Sequence, residues 1–91
     1  MSTYLVSYDL HNQRHYQPVW TKLQQLGGQR LLESLWIVNS QLTATQLRDA
    51  VVAVADNDDS TAVVQVAVGS NWAVMRAKPE GIAMLRQYVT S

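Results

Sequence analysis

Hydrophobic and polar positions alternate from Thr3 to Leu10, with Tyr4, Val6, Tyr8 and Leu10 on one side and Thr3, Leu5, Ser7 and Asp9 on the other. This period of two predicts a strand with one face packed under helices and a mixed face that ends in a carboxylate. The polar stretch from Leu10 to His15 reads as a loop. Pro18 lacks an N–H and suits a first helical turn, which predicts a helix starting near Tyr16. Val19, Trp20, Leu23 and Leu26 recur at helical spacing as its buried stripe, and Gly27-Gly28 supplies a left-handed stop. Gln29 to Asn39 returns to extended structure but is long for one strand, so a break near Glu33–Ser34 is expected.

The second helix has the clearest start. Thr43 and Gln46 stand at capping-box spacing, Leu42 and Leu47 where a hydrophobic staple belongs, and Leu47, Ala50, Val51 and Val54 form the stripe. Turn formers from Asp56 to Ser60 end it. Thr61 to Val68 predicts a strand with Ala62, Val64, Val66 and Val68 on one face. After a turn at Gly69-Ser70-Asn71, Trp72 to Met75 predicts a short edge or hairpin strand. Pro79 opens a last helix with Ile82, Leu85, Tyr88 and Val89 at helical spacing. The order is β-α-β-β-α-β with an extra C-terminal strand and helix. It reads as a ferredoxin-like α+β sandwich with helices on one sheet face, and residues 1–91 form one domain.

Composition sharpens this picture in three ways. Charged residues are only 15% of the chain against 47% hydrophobic, where about 25% charged is usual. A free sheet face with so few charges predicts a dimer through the sheet. Seven Lys/Arg balance seven Asp/Glu, which argues against binding nucleic acid through a basic tail but leaves room for a local basic site. The absence of Cys excludes disulfides, zinc–thiolate sites, iron–sulfur clusters and Cys nucleophiles. No apolar run nears the ~20 residues of a membrane span, and the N-terminus carries no signal-peptide pattern. The expectation is a cytoplasmic protein.

Three features converge along the chain: Tyr8-Asp9-Leu10 closing the first strand, Arg30 followed by Ser34-Leu35-Trp36 after the first helix, and Asp58-Asp59 before a Val-rich strand. In order and spacing, over roughly residues 3 to 68, they resemble the CRISPR-associated protein 2 family, whose relatives include standalone and toxin-type ribonucleases. The resemblance implies a ferredoxin-like homodimer, Mg²⁺ or Mn²⁺ held between two first-strand aspartates, and cleavage or binding of RNA or DNA. In CRISPR systems it also implies bridging of integrase dimers during spacer acquisition.

Each residue carries a plainer reading beside the functional one. Asp9 is a metal ligand and catalytic group, or a cap on the turn that follows it. Arg30 and Arg14 contact phosphate through the guanidinium fork, or are solvated. Trp36 stacks a base, or packs in the core or a dimer interface. Ser34 supports catalysis at Asp9, or marks the strand break; no His/Asp pair makes it a nucleophile. His11 and His15 are general bases or exposed loop residues. Counted from Asp56, the calcium-loop positions that need Gly and Glu hold Thr61 and Ala67, so Asp56, Asp58 and Asp59 read as a solvated turn. The chemical reading is a homodimeric metal-dependent endonuclease; the alternative is a non-catalytic dimeric scaffold of the same fold.

Overall fold

Side-chain alternation and helical stripes sort this chain into strands and helices much as the polar pattern demands. The computed structural model describes residues 1–9, 16–55 and 59–89. Its elements are β1 (Ser2–Asp9), α1 (Tyr16–Gln25), β2 (Gly28–Leu32), β3 (Leu35–Ser40), α2 (Ala44–Val52), β4 (Ser60–Val66) and α3 (Pro79–Tyr88). The four strands form one sheet in the order β2-β3-β1-β4, and every neighbouring pair is antiparallel. This α+β arrangement is compatible with a ferredoxin-like fold.

Local chemistry explains the boundaries. Thr43 Oγ1 accepts the Gln46 N–H at 3.2 Å, and Gln46 Oε1 accepts the Thr43 N–H at 2.9 Å, so the predicted capping box starts α2. Gly27 takes φ 86° after α1, a left-handed turn that a side chain disfavours. The extended stretch breaks at Glu33–Ser34, as its length requires, and a register irregularity lies between Arg30 and Leu32.

The two faces of the sheet carry separate cores. Tyr4, Val6 and Tyr8 of β1 join Trp36 and Val38 under Val19 and Leu23 of α1 and Leu47 and Val51 of α2. On the other face Ile37 and Leu31 pack with Met84 and Leu85 of α3 and with Val89, flanked by Leu5, Leu35, Val66 and Trp72. Helices therefore cover both faces, not one as the sequence reading expects. The apolar stripe of α3 needs a surface, and the first face is already filled by α1 and α2.

Trp72 to Met75 is not a strand. The segment 67–78 leads from β4 at one margin of the sheet to α3, which packs on β2 at the other. It runs across the strands, with Trp72 and Ala77 packed on the second core, and so cannot extend a ladder. In β4, Ala62, Val64 and Val66 share the second face as the alternation predicts, while Val63 faces the first core; that shared face is only partly covered, with Val64 58% exposed, and Val68, 75% exposed, lies beyond the strand. Two observations bear on the expected dimer through the sheet. Half of the second face lies under α3, and the half around Asp9 is open. There Ser7, Asp9, Ser60 and Ala62, which are cross-strand partners, are all exposed.

Candidate functional site

The C-terminal end of β1 gathers residues that are far apart in sequence, because β1 is central in the sheet and alternates its side chains between the two faces. Tyr8 points to the helix side. Its phenol oxygen accepts the indole N–H groups of Trp36, at 3.1 Å, and of Trp20, and its O–H donates to the Glu33 carbonyl at 3.1 Å. The Tyr8 N–H donates to the Ser34 carbonyl at 3.3 Å, which ties the β2–β3 turn to this strand end. Burial pushes the Tyr8 hydroxyl above its ordinary pKa; the two indole donors and the Arg30 charge pull partly the other way. Tyr8 is thus a neutral clasp.

Around it lies an aromatic cluster. Tyr16 stacks on Trp20 with centroids 5.6 Å apart and planes 8° from parallel, and the Arg30 guanidinium lies 4.3 Å from the Trp20 ring centroid. This cation–π contact presents Arg30 in a defined plane. Glu33, itself mostly exposed, stands 3.9 Å from Arg30 and 3.6 Å from Lys78.

Asp9 points the other way. It is exposed on the second face, paired across to Ser60, and lines an open cleft of about 160 Å³ with Ser7, Tyr8, Ser60, Thr61 and Ala62. Arg30 pairs with Trp36, which pairs with Val6, so these three share the helix face. Asp9 and Arg30 therefore lie on opposite faces in two different clefts. From strand spacing and rise, their backbones are about 14 Å apart.

Among the described residues no group of three His, Asp or Glu side chains is placed to hold a metal. Asp9 with Ser7 and Ser60 beside it offers oxygen donors of the kind Mg²⁺ and Mn²⁺ prefer, but one carboxylate is too few for a tight site.

The other predicted residues divide. Ser34 sits beside the Tyr8–Asp9 strand end through its carbonyl. Trp36 does not offer a face to a base: it is 2% exposed and its N–H is committed to Tyr8. That base-stacking expectation is corrected to a core role, because the ring packs with Val6 and Tyr8 of β1 and Val19 and Leu23 of α1 in the first core. Arg14, His11, His15, Asp56 and Asp58 lie outside the described residues. Sequence reasoning missed Gln17, Gln24, Gln29 and Glu80, which line a second cleft with Arg30 and Trp20. Part of the signal was present: Gln17, Trp20 and Gln24 stand at i, i+3 and i+7 and so share one stripe of α1.

No family model matches the chain. Among solved structures, a hypothetical protein, TT1823 from Thermus thermophilus, is similar with a TM-score of 0.67 over 85% of this chain and 94% of its own, at 18% identity. That likeness shows a shared fold.

Proposed function

We propose that the chain is a homodimeric, divalent-metal-dependent nuclease of the type that its resemblance to CRISPR-associated protein 2 suggests. The observation that carries this reading is the open end of the second sheet face. Asp9 stands there among small side chains, Ser7, Ser60 and Ala62, all exposed. Small residues allow a second copy to approach closely, and a two-fold axis at this spot brings two Asp9 carboxylates to one ion. When bound, such an ion, Mg²⁺ or Mn²⁺, would supply Lewis-acid activation of water and offset charge on a phosphate. Asp9 would hold it, the Tyr8–Ser34 bond keeps the adjoining turn in place, and Arg30, on the other face, takes a phosphate or base of a strand of RNA or DNA that passes around the edge of the sheet.

The non-catalytic scaffold, including an integrase-bridging form, is favoured by two features, zero net charge and a charged fraction of only 15%. A cleavage assay separates the two. Labelled single- and double-stranded RNA and DNA are incubated with Mg²⁺, with Mn²⁺ and with chelator. We expect metal-dependent cleavage, lost at least about a hundredfold in Asp9→Asn, since metal assistance is worth several kcal/mol and each 1.4 kcal/mol is about tenfold. Asp9 is exposed, so the variant keeps its circular dichroism and melting temperature. Sedimentation should give twice the 10.2 kDa chain mass. Wild type that cleaves no substrate between pH 5 and 9 overturns the nuclease reading.

A further inference from the structure

The cleft lined by Gln17, Trp20, Gln24, Gln29, Arg30, Trp36 and Glu80 lies at the β2 margin of the sheet, between α1 on the first face and the first turn of α3 on the second, and apart from Asp9. Its volume is about 200 Å³, below the ~300–1,000 Å³ of sites that enclose drug-sized ligands. It suits one planar ring system. The walls are unusual for a surface hollow. Three carboxamides, a guanidinium and a carboxylate line it beside the Trp20 and Trp36 indoles, so hydrogen-bond donors and acceptors are both abundant. Arg30 is held in plane over Trp20 at 4.3 Å. Gln17 Nε2 donates to Thr21 Oγ1 at 3.1 Å, which orients its carbonyl oxygen as the remaining acceptor.

Glu80 is the discriminating group. It belongs to the first turn of α3, and α3 sits so close to β2 that a Cβ on the next residue, Gly81, would lie 2.8 Å from the Arg30 carbonyl oxygen. Glu80 therefore lines the same cleft as Arg30, whose guanidinium also stands 3.9 Å from Glu33. A ring bound between them must offer acceptors to Arg30 and N–H donors to Glu80. Guanine alone among nucleobases presents two adjacent acceptors on one edge, O6 and N7, for a guanidinium fork and two adjacent donors on another, N1–H and N2–H₂, for a carboxylate; cytosine and uracil offer single donors only. Adenine offers N7 but no O6 acceptor and no N1–H.

We infer that this cleft is a guanine-binding subsite for single-stranded nucleic acid, read by Arg30 and Glu80 with the glutamines as adaptable partners. The inference rests on the nuclease reading for its substrate class and deepens it by naming the base. A strand passing around the sheet edge from this cleft to Asp9 has a fixed contour length, so a guanine seated here sets which phosphodiester reaches Asp9. Single-stranded bases are recognised in this manner, by their edges and by guanidinium or aromatic planes.

The test uses the full chain with chelator present and two probes, GMP and AMP, titrated while the Trp20 indole N–H resonance is followed by NMR. GMP should shift that resonance and bind at least about tenfold more tightly than AMP, from one bidentate edge contact. Inosine monophosphate, which lacks the N2 amino group, should fall between them. Glu80→Gln, on an exposed side chain, should abolish the preference for GMP while leaving the melting temperature in place; Arg30→Gln should weaken GMP more than AMP. Equal affinity for GMP and AMP, or GMP binding that leaves Trp20 unshifted, overturns the subsite. The cleavage assay answers separately. GMP selectivity without cleavage keeps the subsite and removes the nuclease, and cleavage without GMP selectivity does the reverse.

Discussion

Gly81→Val should lower the stability of the fold by about 2–3 kcal/mol, the range for forcing atoms into a packed contact. A Cβ at position 81 would stand 2.7 Å from Leu31 Cα, 2.8 Å from the Arg30 carbonyl oxygen and 2.9 Å from Leu31 Cδ1. Two of these three atoms are backbone of β2, pinned by the ladder to β3, so they have no rotamer by which to yield. The helix must lift instead. Lifting it uncovers Met84, Leu85 and Val89 from Leu31 and Ile37, all of them buried in the native packing. A valine is a better helix former than glycine, which returns only a few tenths of a kcal/mol. At about 4–8 °C per kcal/mol for a domain of this size, the thermal midpoint should fall by roughly 10–20 °C. Gly81→Ala should shift it the same way by less. A midpoint that rises in Gly81→Ala, as for a solvent-facing helical glycine, would mean that α3 is not seated on β2.

Tyr8→Phe is expected to be comparably severe although it removes a single oxygen. That oxygen accepts two indole N–H groups and donates to one carbonyl. Its loss leaves the buried Trp36 N–H and the partly buried Trp20 N–H without an acceptor, and each such orphan costs about 1–3 kcal/mol. Some relief comes from rotation of Trp20 toward water, so about 2–4 kcal/mol is expected by urea denaturation at pH 7. The pH dependence has a definite sign. Tyr8 titrates higher in the folded chain than its ordinary value of about 10. Above that pH the unfolded chain gives up the proton while the native one keeps it. Wild type therefore loses stability as pH rises through 10 and beyond, and neutral and acid pH leave this contribution untouched. In Tyr8→Phe that part of the alkaline loss should vanish. An unchanged alkaline limb would show that Tyr8 does not reach its native burial.

Much of the fold was legible along the chain, for reasons that are local. The Thr43–Gln46 box, the Gly27 turn, the Pro79 start and the alternation of β1 each act within a few residues, so spacing reveals them. What spacing could not reveal was tertiary competition. Trp72 to Met75 has strand-like composition, but it must carry the chain across the sheet from β4. The α3 stripe announces a buried face without saying which surface buries it. At the candidate site, Asp9 was visible because a strand-end carboxylate on a mixed face is conspicuous. Of the two readings Trp36 carries, base stacking or core packing, its apolar neighbours cannot choose between a base and a tyrosine as its partner; its burial against Tyr8 gives the core role. Glu80, fifty residues beyond Arg30, carries no sign of their meeting until Gly81 is seen against β2.

One margin of the sheet has practical weight. β4 runs Ser60 to Val66 without a charge or a proline, and its outer N–H and C=O groups face no strand among the described residues. Natural sheets protect such rims with lysine, proline or a bulge. This one has no gatekeeper, and a chain of zero net charge adds no long-range repulsion to keep rims apart. Aggregation should therefore begin at this rim, by strand-to-strand accretion, and should be worst near neutral pH where repulsion is least. Placing one lysine at the outward-facing Val64 would raise the concentration at which the protein stays clear, and light scattering against concentration would record it.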